Sequence, residues 1–232
     1  MYALIIAGGA GERLRPLTSD RPKAMVPVAG RPLLEYQMDW LKRYGVRNVV
    51  LLLGYKAAAA QGHFGDGAAF GVSVQYSLEE EPLGRGGALR RGFSQVPGDE
   101  DIVVALNGDI LTNQPLDELL RFHRRKKAAA TVMLAPLRSP YGIASVGRDG
   151  RIASFLEKPL LPHWINAGIY ALSREFFARL PEKGDHETTT FPELAAEGKL
   201  FGFKSKAYWR PVDSIKDLHE AEREIAQMTA AV

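Results

Sequence analysis

The 232-residue sequence contains no cysteine, and its formal net charge of +3 is small for its length. The absence of cysteine excludes disulfides, thiol nucleophiles and cysteine–metal sites, and it leaves the redox compartment undetermined. The small net charge gives no sign of a nucleic-acid surface. The sequence also lacks an apolar run of membrane-spanning length and a signal-peptide pattern. We therefore expect a soluble, cytoplasmic protein with neither nucleic acid nor membrane among its partners.

Short apolar runs alternate with amphipathic segments along the whole chain. This alternation predicts one α/β domain with a mostly parallel sheet and helices on both of its faces. The predicted strands are 2–7, 48–53, 72–76, 101–106, 128–135, a hairpin of 141–146 with 151–155, 165–170 and 200–204. The predicted helices are 33–44, 56–64, about 84–93, 115–127, 187–197 and 215–228. The basic run 121–127 ends a predicted helix and lacks interleaved aromatic residues, so we interpret it as cations at a helix C-terminus.

The connection after the first apolar run is the most informative stretch. Glycines 8, 9 and 11 allow a tight turn and let backbone N–H groups approach a ligand, an arrangement that suits phosphate. Two cations, Arg13 and Lys23, follow on the same loop. The planar guanidinium of arginine can bind a phosphate through two hydrogen bonds, and the ammonium of lysine is a point charge on a flexible stem. Neither the Walker spacing nor the G-x-G-x-x-G fingerprint fits the loop. The glycines alone are thus compatible with a polyphosphate site or with a structural turn beside solvated charges.

The longer string GGAGERLRPLTSDRPKAMVPVAGRP is much more specific. It resembles the signature of the nucleotidyltransferases that join a nucleoside triphosphate to a sugar 1-phosphate and release pyrophosphate. The family pattern is roughly G-G-x-G-T-R-L-x-P-L-T, then P-K-x-M-x-P-V-x-G-x-P, and the chain departs from it at Glu12, where Thr is usual. The resemblance extends over nearly the whole chain. It implies a single Rossmann-like domain, residues 1–232, of the nucleotide-diphospho-sugar transferase fold: a three-layer sandwich with a mixed, mostly parallel sheet.

The resemblance divides the domain into residues 1–110, mainly for the nucleotide, and residues 111–232, mainly for the sugar phosphate. It implies that Arg13 and Lys23 are the catalytic cations. The segment EEEPLGRGGAL, residues 79–89, is similar to a family segment that lines the base and ribose pocket, although Arg85 stands where Thr is more usual. Without the resemblance this segment is an acidic surface loop. The predicted nucleotide-binding residues are Leu4, Ala7, Gly8, Gly9, Gly11, Glu79, Pro82, Gly84, Gly87 and Asn107.

Two aspartates are the predicted ligands of a Mg²⁺ cofactor. Asp109 follows a predicted buried strand at the edge where open α/β sheets bind ligands, and the family uses a Gly-Asp pair there for magnesium. Many relatives have their second metal-binding aspartate at the position of Pro211. Asp213 lies two residues later, in a stretch, WRPVDS, that resembles the variant of cytidylyltransferase-like branches, and it is therefore the second predicted ligand. Mg²⁺ needs few protein carboxylates. From the residues alone, Asp109 also fits a turn cap, and Asp213 fits the N-cap of the last helix.

The second half of the chain contains two stretches similar to the family's sugar-phosphate site. FLEKP resembles a segment whose lysine binds the sugar 1-phosphate, and NAGIY resembles a strand whose asparagine binds sugar hydroxyls. The bland alternative for the first is a solvated charge pair before a proline. The predicted sugar-phosphate-binding residues are Gly142, Glu157, Lys158, Asn166 and Gly168.

The resemblance predicts an enzyme that uses a nucleoside triphosphate and a sugar 1-phosphate, and the sequence is compatible with a homo-oligomer. GTP with mannose 1-phosphate is the first choice; heptose 1-phosphate with GTP, or glucose 1-phosphate with CTP, UTP or dTTP, are alternatives. A non-catalytic nucleotide-sugar-binding regulatory subunit has only Glu12 and Pro211 in its favour. A glycosyltransferase would be expected to have an Asp-x-Asp motif where this chain has a single aspartate, Asp109.

Overall fold

A computed structural model describes the backbone of residues 1–230 and the side chains of residues 1–226. The strands of its main sheet are β1 (Tyr2–Ile6), β4 (Asn48–Leu53), β5 (Ser73–Leu78), β6 (Ile102–Asn107), β8 (Ala130–Arg138), β11 (Leu160–Ser173) and β12 (Leu200–Lys204). Their order is β12-β8-β11-β6-β1-β4-β5. Strand β11 is antiparallel to both of its neighbours, and every other neighbouring pair is parallel. The predicted mixed, mostly parallel sheet is confirmed.

Three two-stranded sheets lie outside the main sheet. They pair β2 (Pro27–Val28) with β3 (Arg31–Pro32), β7 (Ile110–Thr112) with β13 (Trp209–Pro211), and β9 (Ile143–Val146) with β10 (Ile152–Leu156). The β9–β10 hairpin was predicted as two strands around a turn at residues 147–150. The other two pairs have strands of two or three residues, too short for any periodicity to predict them.

Helices cover both faces of the sheet. They are α1 (Leu33–Arg43), α2 (Ala57–Phe64), α3 (Gly84–Phe93), α4 (Leu116–Lys126), α5 (Arg174–Ala178), α6 (Thr190–Ala196) and α7 (Ile215–Ala230). One core contains Ile5 of β1 with apolar residues of α1, α2 and α4, and the opposite core contains Leu4 of β1 with residues of α3, α5 and α6. Because successive strand residues alternate between these cores, the strands read as continuous apolar runs. The three-layer arrangement is confirmed.

A third, smaller core fixes the loop that follows β1. Leu14 and Val26 of that loop are fully buried in one cluster with Val212, which follows β13, and with Leu218 and Ala221 of α7. The C-terminal helix therefore packs on the same loop that contains Arg13 and Lys23, and it brings distant parts of the sequence together at one end of the sheet.

Two expectations about helices were wrong. The helix predicted for 187–197 begins only at Thr190, because the Thr188 and Thr189 hydroxyls donate to the Asp185 carbonyl, at 3.1 and 2.9 Å, and hold a turn instead. The five-residue α5 was not predicted at all, since one and a half turns show no apolar period.

The predicted division near residue 110 falls at a boundary in the sheet. Strands β5, β4, β1 and β6 come from residues before it, and β11, β8 and β12 come from residues after it. The single-domain prediction runs to residue 232, of which residues 231 and 232 lie outside the described part of the chain. Among the described residues, no helix is both long and apolar enough to cross a membrane.

Candidate active site

The glycine loop lies where the carboxyl ends of β1, β4 and β6 meet. The Ala7 N–H donates to Leu52 O at 2.9 Å, the Tyr55 N–H donates to Gly8 O at 3.2 Å, and the Gly108 N–H donates to Ile6 O at 2.8 Å. These bonds hold the loop between its neighbours at the edge where open α/β sheets bind ligands. The loop is therefore positioned by the sheet on which it begins.

Gly11 allows Lys23 to approach the loop closely. Its φ of 63° is in the left-handed region, and a Cβ on this residue would lie 2.8 Å from the Lys23 Cβ. The Thr18 hydroxyl donates to the Gly11 carbonyl at 3.0 Å and closes the turn from the other side. Gly11 thus supports Lys23, and no part of it lines either cavity described below.

Lys23 lies between the two predicted magnesium ligands. Its Nζ is 2.6 Å from Asp109 Oδ2, and it also donates to Asp213 Oδ1. A second cation, Arg13, has its guanidinium 3.2 Å from Asp213 Oδ1, with 74% of its side chain exposed. Two aspartates 104 positions apart in sequence therefore share one ammonium group. This is a compact array of two carboxylates and two cations at the open end of the sheet.

Strands β7 and β13 bring the two aspartates together. Pro211 pairs with Ile110 in that small sheet, and the Val212 N–H donates to the Asp109 carbonyl at 2.9 Å. The carboxylate of Asp213 is not used as an N-cap. Ser214 and Asp217 make that cap: the Asp217 N–H donates to the Ser214 hydroxyl at 3.3 Å, and the Ser214 hydroxyl donates to Asp217 Oδ2 at 2.8 Å. Asp213 is thereby left to face Lys23.

Two adjoining cavities open beside this array. The larger cavity, about 610 Å³, is lined by Ile6, Gly8, Gly9, Ala10, Leu52, Gly54, Tyr55, Glu79, Glu80, Glu81, Pro82, Gly84, Arg85, Ala88 and Asp185. The smaller cavity, about 440 Å³, is lined by Ile6, Ala7, Gly9, Lys23, Ala24, Arg85, Asn107, Gly108, Asp109 and Asp213. The larger is lined mostly by glycine and apolar residues together with acidic side chains, and the smaller contains the Lys23–aspartate array.

Glu79 is built into the wall of the larger cavity. Its Oε2 accepts the Leu83 N–H at 3.1 Å, and a Cβ placed on Gly8 or on Gly54 would lie 2.8 Å from its Oε1. Glycine is therefore required at both positions if the carboxylate is to sit between the two loops. The predicted residues Gly8, Gly9, Pro82 and Gly84 line the same cavity, together with Glu79.

Four of the predicted nucleotide-side residues line neither cavity. Leu4 is fully buried in the core beneath the sheet, so its side chain is not placed to contact a nucleotide. Gly87 packs against the chain instead, since a Cβ there would lie 2.5 Å from Glu182 O. Gly11 packs against Lys23, and Arg13 belongs to the array, as described above. Ala7 and Asn107 line the smaller cavity.

The predicted sugar-phosphate-binding residues line neither cavity, although Gly168 lies against a residue that lines the smaller one. Gly142, Glu157 and Lys158 lie around the β9–β10 hairpin, and a Cβ on Gly142 would be 2.9 Å from Glu157 Oε2. Glu157 and Lys158 are exposed. Gly168, with φ of 68°, lies against the smaller cavity's wall, because a Cβ there would be 2.6 Å from Asn107 Nδ2.

The last of these residues, Asn166, is tied to that wall through hydrogen bonds. Its Oδ1 accepts the Gly168 N–H at 2.8 Å, and its Nδ2 donates to the Tyr170 hydroxyl at 3.0 Å. Beside them, Asn107 Oδ1 is buried and has no hydrogen-bond partner among the described residues. It is an unpaired acceptor at the boundary between the two halves of the chain.

Several cavity residues were missed by the sequence reasoning. Gly54 and Tyr55 follow β4 at its carboxyl end, so their position in the alternation was the signal available. Asp185 gave no signal, because it comes from the loop after α5, far away in sequence. Arg85, which lines both cavities, stood out in the sequence only as a departure from the family pattern.

Glu12, the other departure, has an exposed carboxylate with no ion pair or hydrogen bond to a described side chain. Glu12 lines neither of the two cavities. The Arg121–Lys127 run ends α4 with its arginines and lysines exposed, as interpreted from the sequence. His123 differs from them: it is buried against Thr131, and burial lowers the pKa of its imidazole to about 4.

The chain is similar to known proteins over nearly its whole length. The chain matches the family described as "Nucleotidyl transferase" over residues 2–228. It is 37% identical over 225 residues to mannose-1-phosphate guanylyltransferase of Mycobacterium tuberculosis, covering 93% of this chain and 62% of that relative's length. It is 34% identical over 230 residues to D-glycero-alpha-D-manno-heptose 1-phosphate guanylyltransferase of Aneurinibacillus thermoaerophilus, covering 97% and 98%.

Solved structures give the same picture of the fold. HddC from Yersinia pseudotuberculosis complexed with GMP-PN superposes with a TM-score of 0.76 at 25% identity, covering 97% of this chain and 99% of that one. The same protein without that ligand superposes with a TM-score of 0.78 at 26% identity, with the same coverage.

Proposed function

Because the chain belongs to the nucleotidyl transferase family, we propose that it transfers a nucleotidyl group from a nucleoside triphosphate to a sugar 1-phosphate. The products are a nucleoside-diphosphate sugar and pyrophosphate. One observation supports this proposal most strongly: Lys23 is held by Asp109 and Asp213 beside the glycine loop, next to a cavity of about 610 Å³. The array offers charge to a polyphosphate, and the cavity offers space to a nucleoside.

The chemistry needs positioning and charge neutralisation, and no protein nucleophile. An oxygen of the sugar phosphate attacks the α-phosphorus, a new P–O bond forms, and the bond to the β-phosphate breaks, so that pyrophosphate leaves. Both reactants are anions, and cations must offset their repulsion. Lys23 would bind at the α-phosphate, where charge develops, and Arg13 would hold the leaving phosphates.

Mg²⁺ is the proposed cofactor, and the residues present fit it. Asp109 and Asp213 already share a cation, the Lys23 ammonium, and carboxylate oxygens are the ligands that Mg²⁺ prefers. Two carboxylates are enough for an ion that keeps most of its shell for phosphate and water. Bound there, it would neutralise phosphate charge and hold the triphosphate in place.

Guanine is the proposed base. A carboxylate accepts hydrogen bonds and cannot donate them when ionised, and Glu79 is fixed between Gly8 and Gly54 in the larger cavity. Guanine presents an N–H and an amino group side by side, whereas the pairing edges of the other bases present a donor beside an acceptor. The guanylyltransferase names of the relatives point the same way. CTP, UTP and dTTP are the alternatives.

Mannose 1-phosphate is the proposed acceptor, with heptose 1-phosphate and glucose 1-phosphate as alternatives. Relatives named for the first two are similarly distant from this chain, at 37% and 34% identity. Lys158 would bind the acceptor phosphate, and Glu157 and Asn166 would bind sugar hydroxyls. Gly142 and Gly168 would leave room for the ring. This site requires the exposed β9–β10 region and the cavity wall at Asn107 to act on one ligand.

A homo-oligomer and a cytoplasmic location stay predictions. The β9–β10 hairpin gives the first some support: Val146, Ile152, Phe155 and Leu156 are each more than half exposed, and Tyr141 beside them is 75% exposed. Contiguous exposed apolar surface is typical of interfaces, and a two-stranded hairpin is at best marginally stable alone. Light scattering of the purified protein would measure its mass directly.

The test of the proposed reaction is pyrophosphate release, with Mg²⁺, across five nucleoside triphosphates and mannose, heptose and glucose 1-phosphates. We expect the strongest release with GTP, and only when a sugar 1-phosphate is present. Glu79→Gln should lose most of the preference for GTP, while Glu81→Gln, a change in another glutamate that lines the same cavity, should keep it. No release in any combination, from folded protein that still binds a nucleoside-diphosphate sugar, would favour the regulatory-subunit alternative.

A further inference from the structure

Arg85 is the one charged side chain among the described residues that lines both cavities. The other residues shared by the two are Ile6 and Gly9. Arg85 is the second residue of α3, and 48% of its side chain is exposed. Its position is therefore the junction between the space proposed for the nucleoside and the array proposed for the phosphates.

Two carboxylates hold the guanidinium in this structure. Arg85 Nη1 donates to Glu187 Oε1 at 2.5 Å, and Arg85 Nε is 3.6 Å from Asp185 Oδ1. Asp185 also accepts the Arg85 backbone N–H at 2.9 Å, and it lines the larger cavity. The guanidinium is thus paired with acidic groups at the rim of a site whose proposed ligand is itself anionic.

The loop that supplies these carboxylates does not depend on the Arg85 side chain for its position. The Gly86 N–H donates to Gly184 O at 2.8 Å, and the Gly184 N–H donates to Leu83 O at 2.8 Å. Close contacts of Gly84 and Gly87 with Gly184 and Glu182 add to this backbone attachment. The guanidinium can therefore leave its partners while the loop stays docked on α3.

Glu187 is only half satisfied by the pair. Its Oε2 is buried without a hydrogen-bond partner among the described residues, and it lies 3.5 Å from the Nδ1 of His186, whose ring is fully buried. Because burial lowers the pKa of His186 to about 4, that imidazole is neutral near pH 7 and supplies no second cation. Among the described residues, Arg85 is therefore the cation that pairs with Glu187. A phosphate would compete with Glu187 for the guanidinium, because it has more negative charge and can accept two hydrogen bonds from it.

We propose that Arg85 exchanges Glu187 and Asp185 for the α-phosphate of the bound nucleoside triphosphate. The α-phosphate is the group that joins the nucleoside to the rest of the triphosphate, so it belongs at the junction of the two cavities, where Arg85 lies. Arg85 then acts as a third phosphate-binding cation beside Arg13 and Lys23. Until the nucleotide binds, Glu187 and Asp185 hold its guanidinium. This inference rests on the proposed function, since it assumes that a nucleoside triphosphate is the ligand.

Substitutions of Arg85 and of Glu187 should have opposite effects on nucleotide binding, and this distinguishes a phosphate-binding role from a structural one. If Arg85 binds phosphate, Arg85→Ala weakens nucleotide binding, and Glu187→Gln, which releases Arg85, strengthens it. If the pair only stabilises the loop, both variants weaken binding alike. Arg90→Ala and Glu182→Gln are the matched controls, because this second arginine–glutamate pair, 3.5 Å apart, joins the same helix to the same loop and lines neither cavity.

The experiment measures dissociation constants by calorimetry with Mg²⁺ and no sugar phosphate, using GTP or whichever triphosphate the wild type binds most tightly. For Arg85→Ala we expect a dissociation constant about tenfold higher or more, the range of a charge-assisted hydrogen bond. Glu187→Gln should lower it about threefold, and the double variant should match Arg85→Ala. Both controls should stay within about twofold of the wild type.

Melting curves of each variant confirm that it is folded before binding is measured. An Arg85→Ala constant within twofold of the wild type overturns the inference, and so does weakened binding by folded Glu187→Gln. Failure of the proposed function gives a different result, because the wild-type protein itself would then bind none of the five triphosphates.

Discussion

At the scale of single residues, the site consists of cationic side chains that are each paired with carboxylates. Lys23 is shared by Asp109 and Asp213, and Arg85 is held by Glu187. None of these pairs lies deep in the core, so each can be exchanged for a phosphate at modest cost. The sequence pointed to Arg13 and Lys23 through one long and specific string, and to Asp109 through the Gly-Asp pair that follows an apolar strand. It could not predict that Arg85 reaches both cavities.

His186 is a residue whose contribution to stability depends on pH. It is fully buried among Tyr170, Phe176 and Phe191, and neither ring nitrogen has a hydrogen-bond partner among the described residues. Burial, and then the Arg85 charge, lower its pKa from 6.5 to about 4. As pH falls below 6.5 the unfolded chain takes up this proton and the folded chain does not, so stability is lost until about pH 4.

His186→Phe should remove this acid sensitivity. Between pH 7 and pH 5 we expect the free energy of unfolding to fall by about 2 kcal/mol less in the variant than in the wild type. At pH 7 the variant should be as stable as the wild type, since no hydrogen bond is lost. Urea unfolding at both pH values measures the difference. Equal losses in the two proteins would show that the imidazole is charged, or solvated, in the folded state.

At the scale of elements, α3 and the loop after α5 form one unit around the larger cavity. Glycines make this possible: a Cβ on Gly86 would lie 2.8 Å from Gly184 O, and one on Gly87 would lie 2.5 Å from Glu182 O. The helix therefore approaches the loop backbone to backbone. Its apolar residue Leu89 is fully buried on the other side, against the sheet.

Gly87→Ala should push α3 and the loop after α5 apart. The new methyl group must displace backbone at Glu182, so we expect a loss of about 1–3 kcal/mol in the free energy of unfolding and weaker nucleotide binding. Gly98→Ala is the control, because a Cβ there meets nothing within 4 Å. Urea unfolding of both variants tests this, and equal stability of the two would mean that the loop yields easily.

The elements differed in how well the sequence predicted them. Strands such as β4 and β6 are continuous apolar runs, and α1 and α4 have clear apolar stripes, so their bounds were close to correct. Strands β7 and β13 have three residues each, and only their pairing brings Asp213 to Asp109. Pairing between distant short segments leaves no local pattern, which is why the geometry of the array required the structure.

At the scale of the whole molecule, the site is assembled from both halves of the chain at one end of the sheet. The first half supplies most of the walls of both cavities, and the second half completes them with Asp185 and Asp213. Asn107 and Gly168 touch where the halves meet. This arrangement suits the proposed reaction, in which two anionic ligands, one bound mainly by each half of the chain, meet beside Lys23 and Arg13.

The most direct test of the account is pyrophosphate release from GTP and mannose 1-phosphate, with Mg²⁺, by the wild type and by Lys23→Met. Methionine keeps the apolar stem and removes the charge. Lys42→Met is the control, because the ammonium of Lys42 donates to Phe70 O at 2.8 Å, and Lys42 lines neither cavity.

We predict release by the wild type only when the sugar phosphate is present, a fall in kcat of about a hundredfold or more in Lys23→Met, and a rate within about twofold of the wild type in Lys42→Met. Undiminished release by folded Lys23→Met, or release that does not require the sugar phosphate, would contradict the assignment of Lys23 and of the reaction.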